Sequence, residues 1–168
     1  MTNEKQTAIN AIEAKKDLIC QVSDHIWSHP ELSLQEEDSA SYYCQILEQE
    51  GFQVERGICG IPTAFSASYG NGSPRIGILA EYDALSGLSQ EAGSLVQKEI
   101  VPGGCGHGCG HNLLGAGAFG AALGVRAYLE ETGHEGTVIL YGCPGEEGGA
   151  AKAFMAREGL WKSLVAAL

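Results

Sequence analysis

The stretch GGCGHGCGHN, residues 103–112, sets two Cys-Gly-His units almost end to end, so that Cys105, His107, Cys109 and His111 are four potential ligands for a transition metal. A closed structural zinc site wants four tetrahedral ligands, commonly as two pairs divided by a long spacer. Here all four fall between residues 105 and 111. An extended Cys-Gly-His places its two side chains on one face with Cα atoms about 6.6 Å apart, which suits a pair of ligands but makes it hard for one ion to gather four. A catalytic metal site asks for less from this loop: two ligands here, others from distant segments, and a position left for water.

Carboxylates that could complete such a site lie at two other places. Glu81 and Asp83 follow an apolar run ending at Ala80, and Glu146 and Glu147 follow another ending near Tyr141. Adjacent residues of an extended segment point to opposite sides, so one of Glu146 and Glu147 could bind metal while the other faces the cavity as a general base. The amino end of a helix beginning at Asn112 is expected to lower the Cys109 pKa toward the thiolate that a metal requires.

These segments need elements to hold them. From about residue 5 to Trp27, Ile9, Ile12, Ile19, Val22 and Ile26 recur at helical spacing, and His29-Pro30 ends the pattern. Ser33 and Glu36 have capping-box spacing before a second helix with Ala40, Tyr43, Cys44 and Leu47 on its apolar face and Gly51 as its stop. Extended segments follow at 52–56, 63–69 and 75–80, and the turn-forming run Gly70 to Pro74 reads as a hairpin between the last two. Residues 82–111 show no period, and so long a loop in a compact domain is usually functional. A helix from Asn112 to about Glu131, poor in charge and rich in glycine, is expected to lie against the sheet, with Gly133 as its stop. A buried strand at 137–141, a helix ending near Gly159 and a further strand begun by VAAL complete an α/β pattern: a mixed, partly parallel sheet flanked by helices. Open sheets of this kind bind ligands beyond the carboxyl ends of their strands, where both acidic pairs fall.

Composition narrows the partners. With 44% hydrophobic residues in 168, the chain can bury one sizeable core, and one domain is expected. A net charge of −11 repels a phosphate backbone, which argues against nucleic acid as a partner. No apolar run approaches the roughly eighteen residues of a membrane span, and MTNEKQTAIN lacks the pattern of a secretory signal, so a cytoplasmic location and no membrane partner are expected. Six cysteines could form disulfides on count alone, but Cys20 and Cys44 fall inside helical patterns and read as small apolar residues.

Taken in order, HPELSLQEE, AEYDALSGL, HGCGHNLLGAG and YGCPGEEGGAAKAFM resemble the metal-dependent amidohydrolases that include aminoacylases and hippurate hydrolases. The resemblance covers nearly the whole chain. It implies a site for two divalent ions, zinc or manganese, with Cys109, His111 and Glu147 as ligands and Glu146 as the general base toward the attacking water. Asp83 would orient the site from behind its ligands. His107 matches a family histidine without a ligand role, Cys105 lies outside the motif, and Glu81 and Asn112 replace the histidine and aspartate of other branches. Those replacements favour the aminobenzoyl-glutamate branch, and the expected substrate is an N-acyl or N-aroyl amino acid. The resemblance further implies that residues 1–168 are the N-terminal part of the catalytic domain, with its C-terminal half and a smaller inserted domain beyond. A homo-oligomer, or pairing with a related subunit, is expected for the full-length protein. A substrate carboxylate would call for arginine, yet Arg56, Arg75, Arg126 and Arg157 lie outside the motifs, so its recognition is expected elsewhere and the chain alone is expected to be inactive.

Two other readings compete. One is a non-catalytic metal-binding or interaction remnant with a structural zinc on the CGHGCGH loop. The other is a cysteine hydrolase built on Cys109 and His111, in which the adjacent glutamates have no evident task.

Overall fold

The computed structural model describes residues 3–168. Three helices open it: α1 (Asn3–Ala14), α2 (Lys16–Ser28) and α3 (Glu37–Gln49). The single opening helix expected from the isoleucine stripe is broken at Lys15, whose φ of −105° and ψ of 8° leave the helical basin. The break lets the two halves turn independently toward the core. Val22 and Ile26 are fully buried, whereas Ile9, on the other side of the break, is 45% exposed.

Five strands follow: β1 (Gln53–Arg56), β2 (Phe65–Asn71), β3 (Arg75–Ala80), β4 (Gly136–Gly142) and β5 (Ala166–Ala167). They form one mixed sheet in the order β1-β2-β4-β3-β5, with β3 parallel to β4 and to β5, and β2 antiparallel to β1 and to β4. The run Gly70 to Pro74 therefore does not close a hairpin. Asn71 pairs with Gly136 and Arg75 with Thr137, so the turn steps across the end of β4. Thr137 ties that turn down, its N–H donating to the Pro74 carbonyl and its hydroxyl to the Gly72 carbonyl. The physical reason lies in β4, which is buried at every position. Only a place between two neighbours, covered on both faces, removes such a strand from water.

The pleat of β4 divides the core in two. Val138 and Leu140 join Leu47, Tyr43, Phe65 and Phe119 on the face covered by the long helices, while Ile139, Tyr141 and Cys143 pack with Met155 and Trp161 on the other. The second face is covered by α5 (Ala151–Arg157) and the short 3-10 turn Leu160–Ser163.

Between β3 and β4 runs α4 (His111–Thr132), stopped as expected by Gly133 in the left-handed region at φ 66°. Its glycines do not all meet the sheet. A Cβ at Gly124 would lie 2.9 Å from Ile12 and one at Gly120 3.0 Å from Ile19, so this stripe seats α1 and α2. Gly115 alone of these brings α4 against the strand end, where a Cβ would collide with the Glu81 carbonyl and the Tyr43 hydroxyl.

Candidate metal centre

The site is set by the register of two parallel strands. Ala80 of β3 stands opposite Gly142 of β4, and the Cys143 N–H continues the ladder to the Ala80 carbonyl at 2.8 Å. Glu81, Tyr82 and Asp83 thus leave one strand beside Cys143 to Glu147 leaving the other. Tyr82 is fully buried, its hydroxyl donating to the Thr63 carbonyl at 2.6 Å. Tyr82 packs on the face that α4 covers, so alternation turns Glu81 and Asp83 the other way, over the strand ends, where Glu81 pairs with Lys152 of α5 and Asp83 meets His111 at the very start of α4.

The long loop delivers its two Cys-Gly-His copies to different places. Leu85 and Gly106 bridge antiparallel, and Gly106 passes so close to Leu88 that a Cβ would overlap its carbonyl oxygen. From this first copy the Cys105 thiol donates to the Pro30 carbonyl at 3.0 Å, and His107 Nε2 donates to the Ile26 carbonyl at 3.0 Å. Burial pushes the His107 pKa below its usual value, as expected for an imidazole kept neutral. The second copy reaches the strand ends. Cys109 is exposed, and His111, the first residue of α4, is 3% exposed. Among the described residues, the groups able to share an ion are Cys109 with His111 and Glu147, Glu81 with His111 and Glu146, and a separate surface group. Cys105 and His107 belong to none of them, so the loop does not gather its four ligand types around one point.

His111 is the hub. Its Nδ1 faces the Asp83 carbonyl and Asp83 Oδ1, both at 3.0 Å, and a carbonyl can only accept, so Nδ1 carries the hydrogen. Nε2 looks out at Glu81 Oε2, 3.1 Å away, and Glu146 Oε2, 3.7 Å away. A carboxylate behind a histidine in this way fixes its ring orientation and directs the second nitrogen outward, the usual support of a metal-binding imidazole.

Glu146 and Glu147 sit on a turn rather than an extended segment. Gly145, at φ 64°, starts it in the left-handed region that glycine tolerates, and its carbonyl accepts from the N–H groups of Gly149 and Ala150. The alternation expected for an extended pair is thereby lost. Both carboxylates come within reach of His111, one beside Glu81 and the other beside Cys109.

The electrostatics fit a cation. Three carboxylates and a thiol converge on the imidazole, with Lys152 paired to Glu81 as the basic side chain on the cluster. The Cys109 thiol is pushed above its usual pKa, first by its hydrogen bond to Glu147 and then by burial and the charges of Glu147, Glu146 and Glu81. This corrects the expectation that the helix terminus would lower it. A partial charge at a helix end is outweighed by three whole charges nearby. A raised thiol is also the opposite of an activated nucleophile. A divalent ion among the same groups would reverse the balance, because a coordinating thiol loses its proton.

Sequence reasoning missed the residues that brace this arrangement. Ser33 and Glu36 do not form a capping box: the Ser33 hydroxyl donates to Asp83 Oδ2 at 2.9 Å, and Glu36 Oε1 accepts from the Gly145 N–H at 2.8 Å. The cap of α3 is Glu31, which accepts from the N–H groups of Asp38 and Ser39 and from the Ser39 hydroxyl, each at 2.9 Å. The spacing Ser-x-x-Glu is shared by both arrangements, and only the presence of HPELSLQEE among the motifs pointed to the site.

The chain resembles proteins of a known family. The profile of peptidase family M20/M25/M40 matches residues 77–167, a span holding every member of the cluster. A p-aminobenzoyl-glutamate hydrolase subunit of Escherichia coli K12 is 52% identical over 159 residues, covering 95% of this chain and 33% of that protein. The Xaa-Arg dipeptidase of Mus musculus is 30% identical over 172 residues, covering 95% of this chain and 36% of its own. The crystal structure of Bacillus subtilis YXEP, described as a dinuclear metal-binding peptidase of the M20 family, superposes with a TM-score of 0.72 at 24% identity, over 92% of this chain and 42% of that one. The chain thus spans about a third of the length of the curated relatives it matches.

Proposed function

The chain belongs to peptidase family M20/M25/M40, and on that footing we propose that it forms the N-terminal part of the catalytic domain of a metal-dependent amidohydrolase. The substrate class is an N-acyl or N-aroyl amino acid of the p-aminobenzoyl-glutamate kind, by likeness to the E. coli relative. One observation carries the reading: an imidazole held from behind by a buried carboxylate faces a thiol and three carboxylates at the carboxyl ends of two parallel strands.

The proposed cofactors are two divalent ions, zinc or manganese, held by Cys109, His111 and Glu147, with Glu81 beside them. When bound, they supply Lewis acidity to the amide carbonyl and to a water. Glu146 is the general base, within reach of that space and half-exposed, so it can take a proton from the attacking water. Asp83 holds His111 in one orientation and fixes the turn that carries Glu147. Substrate binding, and the ligands that two ions still require, we assign to sequence outside residues 1–168, which is why this segment alone is proposed to be inactive.

The E. coli relative is named as one subunit of its hydrolase, which supports pairing with another chain. All six cysteines are free, which supports the cytoplasm as the compartment. Among the described residues no helix is long and apolar enough to cross a membrane.

The test is a graft. Residues 1–168 replace the matching third of the E. coli relative, and the chimera and the isolated chain are assayed with p-aminobenzoyl-glutamate in zinc or manganese. The chimera is expected to turn over substrate and the isolated chain to show little or none. A metal-loaded, folded chimera without amidase activity, or robust turnover by the isolated chain, would overturn the proposal.

A further inference from the structure

The remaining group of metal-capable residues lies on the surface, on different residues from the candidate catalytic cluster, and comprises His25, His29 and Asp38. His25 and His29 are one helical turn apart at the end of α2, the i, i+4 spacing that places two imidazoles on one face to share an ion. Asp38 comes from the first turn of α3, its Oδ2 2.7 Å from His25 Nε2. We propose that these three side chains form a second metal site, for one divalent transition ion of the zinc type, separate from the catalytic centre.

Three features prepare the site. His29 Nδ1 donates to the His25 carbonyl at 2.8 Å, which leaves Nε2 with its lone pair free for an ion. The His25 ring is held against Tyr42, with centroids 3.7 Å apart, before any ion arrives, and its looser stacking on His29, at 4.4 Å, opens as the two rings turn to face one ion. Such preorganisation lowers the ordering cost of binding. Asp17 and Asp24 line the same groove along α2 and add negative charge around the ligands. Ligand atoms that lie within 4.8 Å of one another need only small movements to reach the roughly 3.4 Å separations of a tetrahedral zinc site with bonds of about 2.0–2.1 Å.

The position gives the site a consequence. His29 immediately precedes, and Asp38 closely follows, the segment that carries Ser33 and Glu36, which hold Asp83 and Gly145 in the catalytic region. An ion joining the end of α2 to the start of α3 closes that segment into a clamped loop. Zinc binding here therefore stabilises the loop that braces the catalytic cluster, without contributing a ligand to it.

Zinc titration of the full chain in a Cys109→Ser, His111→Gln background, which removes a member of both metal-capable groups of the catalytic cluster, tests this independently of the catalytic reading. One equivalent is expected to bind and raise Tm, with affinity at least tenfold weaker in His25→Gln, His29→Gln and Asp38→Asn. Asp24→Asn, which lines the groove without ligating, should change it no more than about twofold. Far-UV circular dichroism confirms that each variant is folded. NMR of the imidazoles reads the same event directly, with zinc shifting the His25 and His29 ring signals first. Unchanged affinity in folded His29→Gln, or a loss in Asp24→Asn equal to that in His29→Gln, would overturn the proposal.

Discussion

The Glu147 backbone N–H donates to Asp83 Oδ2 at 2.9 Å, joining residues 64 apart in the chain. The same oxygen accepts from Ser33, and the other carboxylate oxygen faces His111. A single buried side chain thereby fixes the imidazole, the glutamate turn and the segment that braces them. Asp83 is 1% exposed, so these contacts are made where water cannot substitute for them.

Ser33→Ala should accordingly weaken the site from a distance. Losing a partner behind a metal ligand typically costs about 10-fold to 100-fold in metal affinity or activity, and the lower end is expected because Asp83 keeps its other contacts. Measured on the chimera, kcat/KM for p-aminobenzoyl-glutamate should fall about tenfold while circular dichroism is unchanged. A value within twofold of the parent would show that Ser33 does not hold Asp83 in the working protein.

Cys109→Ser is expected to reduce zinc affinity at the catalytic cluster by at least tenfold, and Cys105→Ser by less than twofold. The Cys105 thiol is committed to Pro30, whereas Cys109 stands beside Glu147. Titrations with the His25 site disabled by His29→Gln decide between them. Equal losses would return the structural zinc loop to consideration.

Much of this arrangement was legible in the residues, and the parts that were not share a cause. β3 and β4 announced themselves as apolar runs ending in acidic pairs, and Gly133 marked the end of α4. Local pattern carries that kind of information. The false hairpin at Gly70–Pro74, the false capping box at Ser33 and Glu36 and the single opening helix were also locally sound, but long-range pairing decided each: β4 inserting beside β2, Asp83 and Gly145 claiming the two side chains, and α4 seating α1 and α2 separately. The candidate site residues were found through four motifs together. The metal-capable group at His25, His29 and Asp38 escaped, because it joins two helices that no short motif spans.

Two glycines of α4 separate packing from propensity. Gly117→Ala meets nothing within 4 Å and should stabilise the chain by up to about 1 kcal/mol, the usual helix-interior preference for alanine. Gly115→Ala would drive its Cβ against the Glu81 carbonyl and the Tyr43 hydroxyl, and should destabilise by about 1–3 kcal/mol while disturbing metal affinity. Denaturant midpoints provide the comparison. Similar effects at the two positions would contradict the close contact of α4 with the strand end.

Glu36 gives a pH signature. Burial, the largest influence, pushes its carboxyl above the usual 4.5, although its hydrogen bonds pull the other way. A group whose folded pKa lies above its unfolded one contributes stability that is fully present below the unfolded value and is lost as pH rises through the folded one. Glu36→Gln keeps an oxygen for the Gly145 N–H but does not titrate. Its Tm relative to the parent should therefore rise between about pH 4.5 and neutrality. A difference independent of pH over that range would show that the Glu36 carboxyl titrates alike in both states.

The division of labour between the adjacent glutamates is the central claim, and metal content read alongside turnover tests it most directly. In the chimera, Glu146→Gln should keep its full metal content and lose about 100-fold or more in kcat, the scale of a missing general base. Glu147→Gln should lose metal and activity together. Turnover persisting in Glu146→Gln, or metal lost from Glu146→Gln as readily as from Glu147→Gln, would contradict the assignment.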